Sequence, residues 1–137
     1  MRKKLKCIML IDDNADDNFF HERVINKCHA ADAVVSKQTS REALKFLRSL
    51  NQTNHKMHPD LIFLDINMPG MNGWEFLDEY KALEEGVMRS AIIIILTTSE
   101  DPYDKSIVEE MNIASDFRTK PLSYKMLNEV IEKYFKK

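Results

Sequence analysis

Glycine and proline are scarce in this sequence, with three glycines and four prolines among 137 residues, against roughly 12% in ordinary proteins. Cradling a nucleotide phosphate with backbone amides usually takes several clustered glycines. Gly70, Gly73 and Gly86 form neither a G-x-G-x-x-G nor a Walker pattern, so any phosphate chemistry must proceed by other means. An excess of one charge sign is also missing. Lys plus Arg number 20 and Asp plus Glu 22, for a formal charge of -2, too balanced for a polyanion binder held by counterion release. No nucleic-acid partner is expected.

Long apolar runs are absent as well. The longest, residues 91–96 (AIIIIL), falls far short of the ~18 residues of a membrane span. The basic start, Met1-Arg-Lys-Lys, resembles a signal-peptide n-region, but the apolar stretch behind it is interrupted by Lys6 and stops at Asp12, unlike a secretory signal. No membrane partner is expected, and the expected location is cytoplasmic. Cys7 and Cys28 have neither C-x-x-C spacing nor a partner cluster and read as buried or half-buried thiols. His55-x-x-His58 has metal-ligand spacing, but no cysteine or carboxylate lies near it in sequence, so both read as surface-loop histidines.

What the sequence does hold is an ordinary globular composition, 44% hydrophobic and 31% charged, in a length that fits one domain over residues 1–137. Residues 5–11 (LKCIMLI), 61–64 (LIFL) and 91–96 are short, nearly continuous apolar runs, as expected for strands buried on both faces. Residues 33–36 and 115–118 are weaker strand candidates. Helical spacing fills the gaps between them. Phe20, Val24 and Cys28 recur at i, i+4, i+8, while Ala43, Leu47, Leu50 and then Phe76, Tyr80, Leu83 recur at i, i+4, i+7. Asp101-Pro102 reads as an N-cap with proline at the first helical position, opening a fourth helix with Tyr103, Ile107 and Met111. The fifth helix starts near Ser123 and carries Met126, Leu127, Val130, Ile131 and Tyr134. Met57, Met68, Met71 and Met111 read as packing residues.

Five alternations of strand and helix with short connections predict an α/β fold, a doubly wound five-stranded parallel sheet in flavodoxin-like order 2-1-3-4-5 with five helices. In such sheets the ligand site lies beyond the carboxyl ends of the strands. The first strand ends in Asp12-Asp13, the third in Asp65, the fourth in Thr97-Thr98-Ser99 and the fifth in Thr119-Lys120-Pro121. Asp12-Asp13 alone would read as a helix N-cap with acids favoured by the dipole. Gathered with Asp65 at one edge, these carboxylates repel and raise one another's pKa unless something compensates. A divalent cation does so, and all-oxygen ligation suits Mg2+ or Mn2+. A carboxylate can also act as nucleophile and form an aspartyl phosphate. The charge on the transferring oxygens is then met by a metal ion, a lysine and a hydroxyl, here Lys120 and Thr97.

These residues resemble the receiver domain of two-component response regulators, with a CheY-like fold. The resemblance runs from Asp12-Asp13 through Asp65-x-Asn67-Met68-Pro69-Gly70-Met71-Asn72-Gly73 and Leu96-Thr97 to Lys120-Pro121. It implies that Asp65 is the phospho-acceptor, charged by a sensor histidine kinase or a histidine phosphotransfer protein. Asp13, Asp65 and the backbone carbonyl of Asn67 would contact Mg2+ directly, with Asp12 acting largely through water. Lys120 would pair with Asp65 at rest and with a phosphoryl oxygen afterwards. Thr97 would swing in to the phosphoryl group and Phe117 would follow it inward, remodelling the face of the fourth helix, fifth strand and fifth helix, where a downstream protein docks. The resemblance further implies a cis Lys120-Pro121 peptide and places Asn67 and Ser99 where the family tunes dephosphorylation.

Departures from the family pattern are few. Phe117 stands for the commoner tyrosine, Thr98 for a small residue beside the phosphorylation site, and Asn112-Ile113 for a turn glycine. Gly73 and Trp74 are expected to shape the loop after Asp65 and open the third helix. With Lys137 as the last residue, the expectation is a stand-alone switch without a fused output domain, not a turnover enzyme, and either a monomer or a phosphorylation-dependent dimer. Two other readings remain open. A pseudo-receiver that only binds partners normally loses an acid or the lysine, and a small aspartyl-phosphate phosphatase would want a second acid where Asn67 stands.

Overall fold

The computed structural model describes residues 4–50, 58–66, 73–84, 91–98, 106, 110 and 116–135. Five strands form one sheet: β1 (Leu5–Ile11), β2 (Ala31–Lys37), β3 (Leu61–Leu64), β4 (Ile92–Thr97) and β5 (Asp116–Thr119). Four helices are delineated among the described residues: α1 (Ala15–Lys27), α2 (Ser40–Ser49), α3 (Gly73–Glu84) and α4 (Tyr124–Phe135). The helix expected from Asp101-Pro102 lies outside the described residues except for Ser106 and Glu110, both helical. The last helix, expected as the fifth, is therefore α4.

Every strand pairing is parallel, and the order is β2-β1-β3-β4-β5, the flavodoxin-like order the alternation predicts. The apolar runs work as two interleaved faces, because successive strand side chains point to opposite sides. Met9, Ile11, Ile62, Leu64, Ile93 and Ile95 pack with Leu44 and Leu47 of α2 and Phe76 and Tyr80 of α3. Ile8, Leu10, Leu61, Phe63, Ile94 and Leu96 pack on the other side with Val24 and Ile25 of α1 and Leu127, Val130 and Ile131 of α4. Burial on both faces is why the three central strands read as continuous apolar runs instead of alternating ones. The edge strand β2 is half-buried and runs two residues further at its start and one at its end than its apolar stretch suggests. An edge strand has only one fully covered side, so polar residues such as Asp32 and Lys37 are tolerated in its ladder.

Two expectations are corrected. Phe20 does not share a buried stripe with Val24. It is 51% exposed, and α1 instead buries Asn18, His21, Val24 and Ile25. The Asn18 side-chain amide donates to the Asp12 carbonyl at 2.9 Å, so a polar residue finds a hydrogen-bond partner on the inner face. His58 is not a surface-loop residue. It is buried, with its Nε2 2.9 Å from the Leu50 carbonyl oxygen, so it closes the end of α2, while His55 lies outside the described residues. Cys7 is buried and Cys28 half-buried, as expected. Burial and the nearby Asp60 charge push the Cys7 thiol up to about 11, which leaves it protonated and unreactive.

The scarcity of glycine has a local consequence at the end of α1. His29 takes the left-handed conformation, φ 51°, in the position where helices usually end on glycine. Its amide donates to the Asn26 carbonyl at 3.1 Å and the Ala30 amide to the Ile25 carbonyl at 3.2 Å, the paired bonds of a Schellman ending. His29→Gly is therefore expected to stabilise the protein by roughly 0.5 to 1 kcal/mol, the left-handed strain removed less the entropy of a freer unfolded chain. Thermal unfolding followed by circular dichroism should show a rise of about 2 to 4 °C; an unchanged or lower midpoint would contradict the strain.

Candidate functional site

Register brings the strand ends to a common line. The Asp65 amide donates to the Ile11 carbonyl at 2.9 Å and the Lys120 amide to the Thr97 carbonyl at 2.8 Å, so each chemically important residue sits just where its strand stops pairing. Asp12, Asp13 and Asp65 converge there, each offering one carboxylate oxygen within 4.8 Å of the others. Asp12 and Asp65 are buried and Asp13 is exposed. Thr97, at the end of β4, is fully buried, while Thr98 beside it faces solvent.

Lys120 reaches into this cluster from the loop after β5, across the cis Lys120–Pro121 peptide that the resemblance implies. Its Nζ lies 2.5 Å from Asp12 Oδ2, 2.9 Å from Asp17 Oδ2 and 3.4 Å from Asp65 Oδ2. The ammonium thus pairs with Asp65, as the resemblance implies, but it sits closer to Asp12 and Asp17. Burial works to lower the Lys120 pKa, yet the hydrogen bonds to Asp12 and Asp17 and the charges of Asp65 and Asp12 outweigh it and hold the lysine above its ordinary range. It stays charged at any physiological pH. Asp12 is displaced upward, first by burial and further by the Asp65 charge; its bonds from Lys120 and the Asn14 amide only partly offset this. A buried carboxylate with a raised pKa next to a second one is a site where a divalent cation is favoured.

Helix α1 frames the site from one side. Asn14, rather than Asp12 or Asp13, is its N-cap, accepting from the amides of Asp16 at 2.9 Å and Asp17 at 3.1 Å. Because Asp12, Asp13 and Asn14 are consecutive, the cap also fixes where the acidic pair leaves the strand. On the far side Gly73 opens α3, and its amide donates to the Ile66 carbonyl at 3.2 Å. The backbones approach so closely that a β-carbon on Gly73 would stand 2.5 Å from Ile66 Cα. Phe117 is half-buried and packs against the core on the α2 and α3 side of the sheet. Asn67 and Ser99 lie outside the described residues.

Three residues near the site escape sequence reading: Asp17, Asn18 and His21. Asp17 looks like an ordinary first-turn acid, and only the approach of a residue 103 positions away gives it another role. Asn18 and His21 are buried polar groups on the inner face of α1. Their spacing of three with Val24 is a helical stripe, but polar residues in a stripe carry no apolar signal. Beside them Phe19, Phe20 and Tyr124 are exposed and, with Arg23, Lys27 and the Pro121–Leu122 segment, line an open groove of about 500 Å3.

His21 carries a pH prediction. Burial lowers its pKa, the Asp17 carboxylate opposes the shift and the Lys120 ammonium reinforces it. In the unfolded chain the imidazole titrates near ~6.5. As pH falls through that value the unfolded chain takes up a proton that the folded protein refuses. The neutral His21 therefore contributes stability above that pH and loses it below. Urea unfolding of wild type and His21→Gln at several pH values between 5.5 and 7.5 should show the variant gaining on wild type as the solution is acidified. Parallel pH profiles would refute the effect.

A parallel sheet of this order, with three acids and a lysine converging at its carboxyl edge, defines a doubly wound α/β domain of the flavodoxin-like class. The chain belongs to the response regulator receiver domain family, whose model matches residues 8–132. The family is a signalling domain of two-component systems. The chain is 34% identical over 116 residues to a stress response regulator protein of Debaryomyces hansenii, a match covering 85% of this chain and 44% of the relative. It thus spans less than half the length of that relative. Among solved structures, a two-component response regulator from Cytophaga hutchinsonii superposes with a TM-score of 0.86 at 30% identity, covering 96% of this chain and 97% of the other. A phosphorylated cyanobacterial phytochrome response regulator, RcpA, superposes with a TM-score of 0.69 at 27% identity over 94% of this chain and 90% of the other. Among the described residues no helix is long and apolar enough to cross a membrane.

Proposed function

We propose that this protein is a phosphorylation switch of a two-component relay, with Asp65 as the acceptor. The observation that carries the reading is the convergence of Asp12, Asp13 and Asp65 within 4.8 Å with the Lys120 ammonium among them. The donor set is all oxygen and includes two buried acids, which fits Mg2+ or Mn2+. Asp12, Asp13 and Asp65 would hold the ion, together with the Asn67 carbonyl, and when bound it neutralises charge on the transferring phosphoryl oxygens.

The rest of the chemistry belongs to side chains. A carboxylate oxygen of Asp65 attacks phosphorus, and the bond from phosphorus to the imidazole nitrogen of a phosphohistidine breaks. That nitrogen keeps the electron pair and takes a proton. Lys120, charged and only 9% exposed, faces the new phosphoryl group as a fixed counter-charge. Thr97 donates its hydroxyl hydrogen to a phosphoryl oxygen, and Phe117 follows it inward from its half-buried position. The face carried by β5 and α4 then changes shape for a downstream protein; the helix expected to share it lies outside the described residues except for Ser106 and Glu110. The aromatic groove of Phe19, Phe20 and Tyr124 adjoins Pro121, next to Lys120, which supports contact there with the phosphodonor, a histidine kinase or phosphotransfer protein.

Incubation with acetyl phosphate, with and without Mg2+, tests the reading by intact mass. In this reaction the bond from phosphorus to the acetate oxygen breaks and acetate leaves. A single adduct that requires Mg2+ is the expected result. No adduct would favour the pseudo-receiver, and rapid turnover of phosphomonoesters would favour the phosphatase.

A further inference from the structure

We propose that Asp17 is a positioning residue that latches Lys120 in the resting protein and must release it when Asp65 is phosphorylated; the inference rests on Asp65 being the acceptor. An ammonium has three N–H donors. Lys120 faces three carboxylates, Asp12 at 2.5 Å, Asp17 at 2.9 Å and Asp65 at 3.4 Å, so its donors are fully claimed at rest. A phosphoryl group on Asp65 adds acceptor oxygens beside that same ammonium. Phosphorylation replaces the Asp65 carboxylate, already the longest of the three contacts at 3.4 Å, with phosphoryl oxygens, so the ammonium must shift toward them and loosen one of its two shorter contacts.

Asp17 is the partner that yields. It does not belong to the cluster formed by Asp12, Asp13 and Asp65, so a cation held there would leave Asp17 as a fully charged competitor for the lysine, while its release depends on solvent. Asp17 is also the most exposed of the three, at 37% against 7% for Asp12 and 8% for Asp65, and water can replace the lysine on its carboxylate. Its backbone is held independently, since its amide donates to the Asn14 cap at 3.1 Å. Losing Lys120 therefore leaves the first turn of α1 in place. Asp17 acts as a competitor that lowers the rate of phosphoryl uptake, and it does so through Lys120.

The test compares wild type, Asp17→Asn, Asp17→Ala and Asp17→Glu for acetyl phosphate uptake at saturating Mg2+, with donor concentration varied at two ionic strengths. Asp17→Asn and Asp17→Ala are expected to raise the maximal rate about 3- to 5-fold, the scale of a partly exposed ion pair. Asp17→Glu, which keeps the carboxylate, should stay near wild type. General repulsion of an anionic donor would instead change the half-saturating concentration and fade at high salt. A purely structural role would lower the melting temperature without speeding uptake. An unchanged or slower maximal rate in both Asp17→Asn and Asp17→Ala overturns the latch while leaving Asp65 as acceptor. Absence of any adduct in wild type removes the acceptor assignment, and the latch falls with it.

Discussion

Asp65→Asn is expected to take up no phosphoryl group from acetyl phosphate under conditions that label the wild type. The substitution keeps the shape of the side chain, so the packing at the end of β3 and the bond from the residue 65 amide to the Ile11 carbonyl should survive. What disappears is the proposed nucleophile, because an amide oxygen has neither the charge nor the basicity of a carboxylate. The variant also removes one of two buried acids beside Lys120. With like-charge repulsion relieved and Asp12 and Asp17 still bonded to the ammonium, unfolding should be no easier than in wild type. Intact mass and a thermal melt on one preparation decide the matter. An adduct of undiminished yield in a well-folded variant would move the acceptor to another residue, with Asp12 and Asp13 the first to examine.

Gly73→Ala should destabilise the protein strongly for the addition of a single methyl group. The new β-carbon would stand 2.5 Å from Ile66 Cα, 2.8 Å from Ile66 Cγ2 and 3.0 Å from the Asp65 carbonyl oxygen. Two of those atoms are backbone, so no rotamer change relieves the clash. Either α3 backs away from the sheet or the segment carrying Asp65 shifts. Overpacking of this kind costs about 2 to 3 kcal/mol, a fall in melting temperature of roughly 5 to 15 °C. Because the strained segment carries Asp65, the proposed acceptor, the rate of phosphoryl uptake should fall as well, at temperatures where the variant is still folded. A variant melting within a degree of wild type would show that the two segments part easily.

The central strands were legible because burial on both faces forces nearly continuous apolar runs, and LKCIMLI, LIFL and AIIIIL are such runs, the last shifted one residue from the strand β4 that it marks. Edge strands obey a weaker rule. β2 keeps half-buried residues along its length, so its ends could not be read from hydropathy. Helix α1 misled for a related reason. Its inner face includes Asn18 and His21, so counting apolar positions placed Phe20 inwards, whereas an aromatic side chain is left at the surface. His58 was misplaced because a histidine beside a polar stretch gives no sign that a helix-terminal carbonyl awaits it.

By itself the sequence determined which chemical groups stand at the strand ends. Strand and helix alternation predicts a parallel sheet, a parallel sheet aligns its carboxyl ends, and Asp12, Asp13, Asp65, Thr97 and Lys120 each follow a strand or close one. Those relations are local in the chain and survive as patterns. Tertiary structure alone decided how the groups share one another. The division of the Lys120 ammonium among Asp12, Asp17 and Asp65, the burial of His21 and the contact of Gly73 with Ile66 depend on distances between segments far apart in the chain. Hydrogen-bond and packing energies change steeply over tenths of an ångström, a scale that residue types and spacing do not encode.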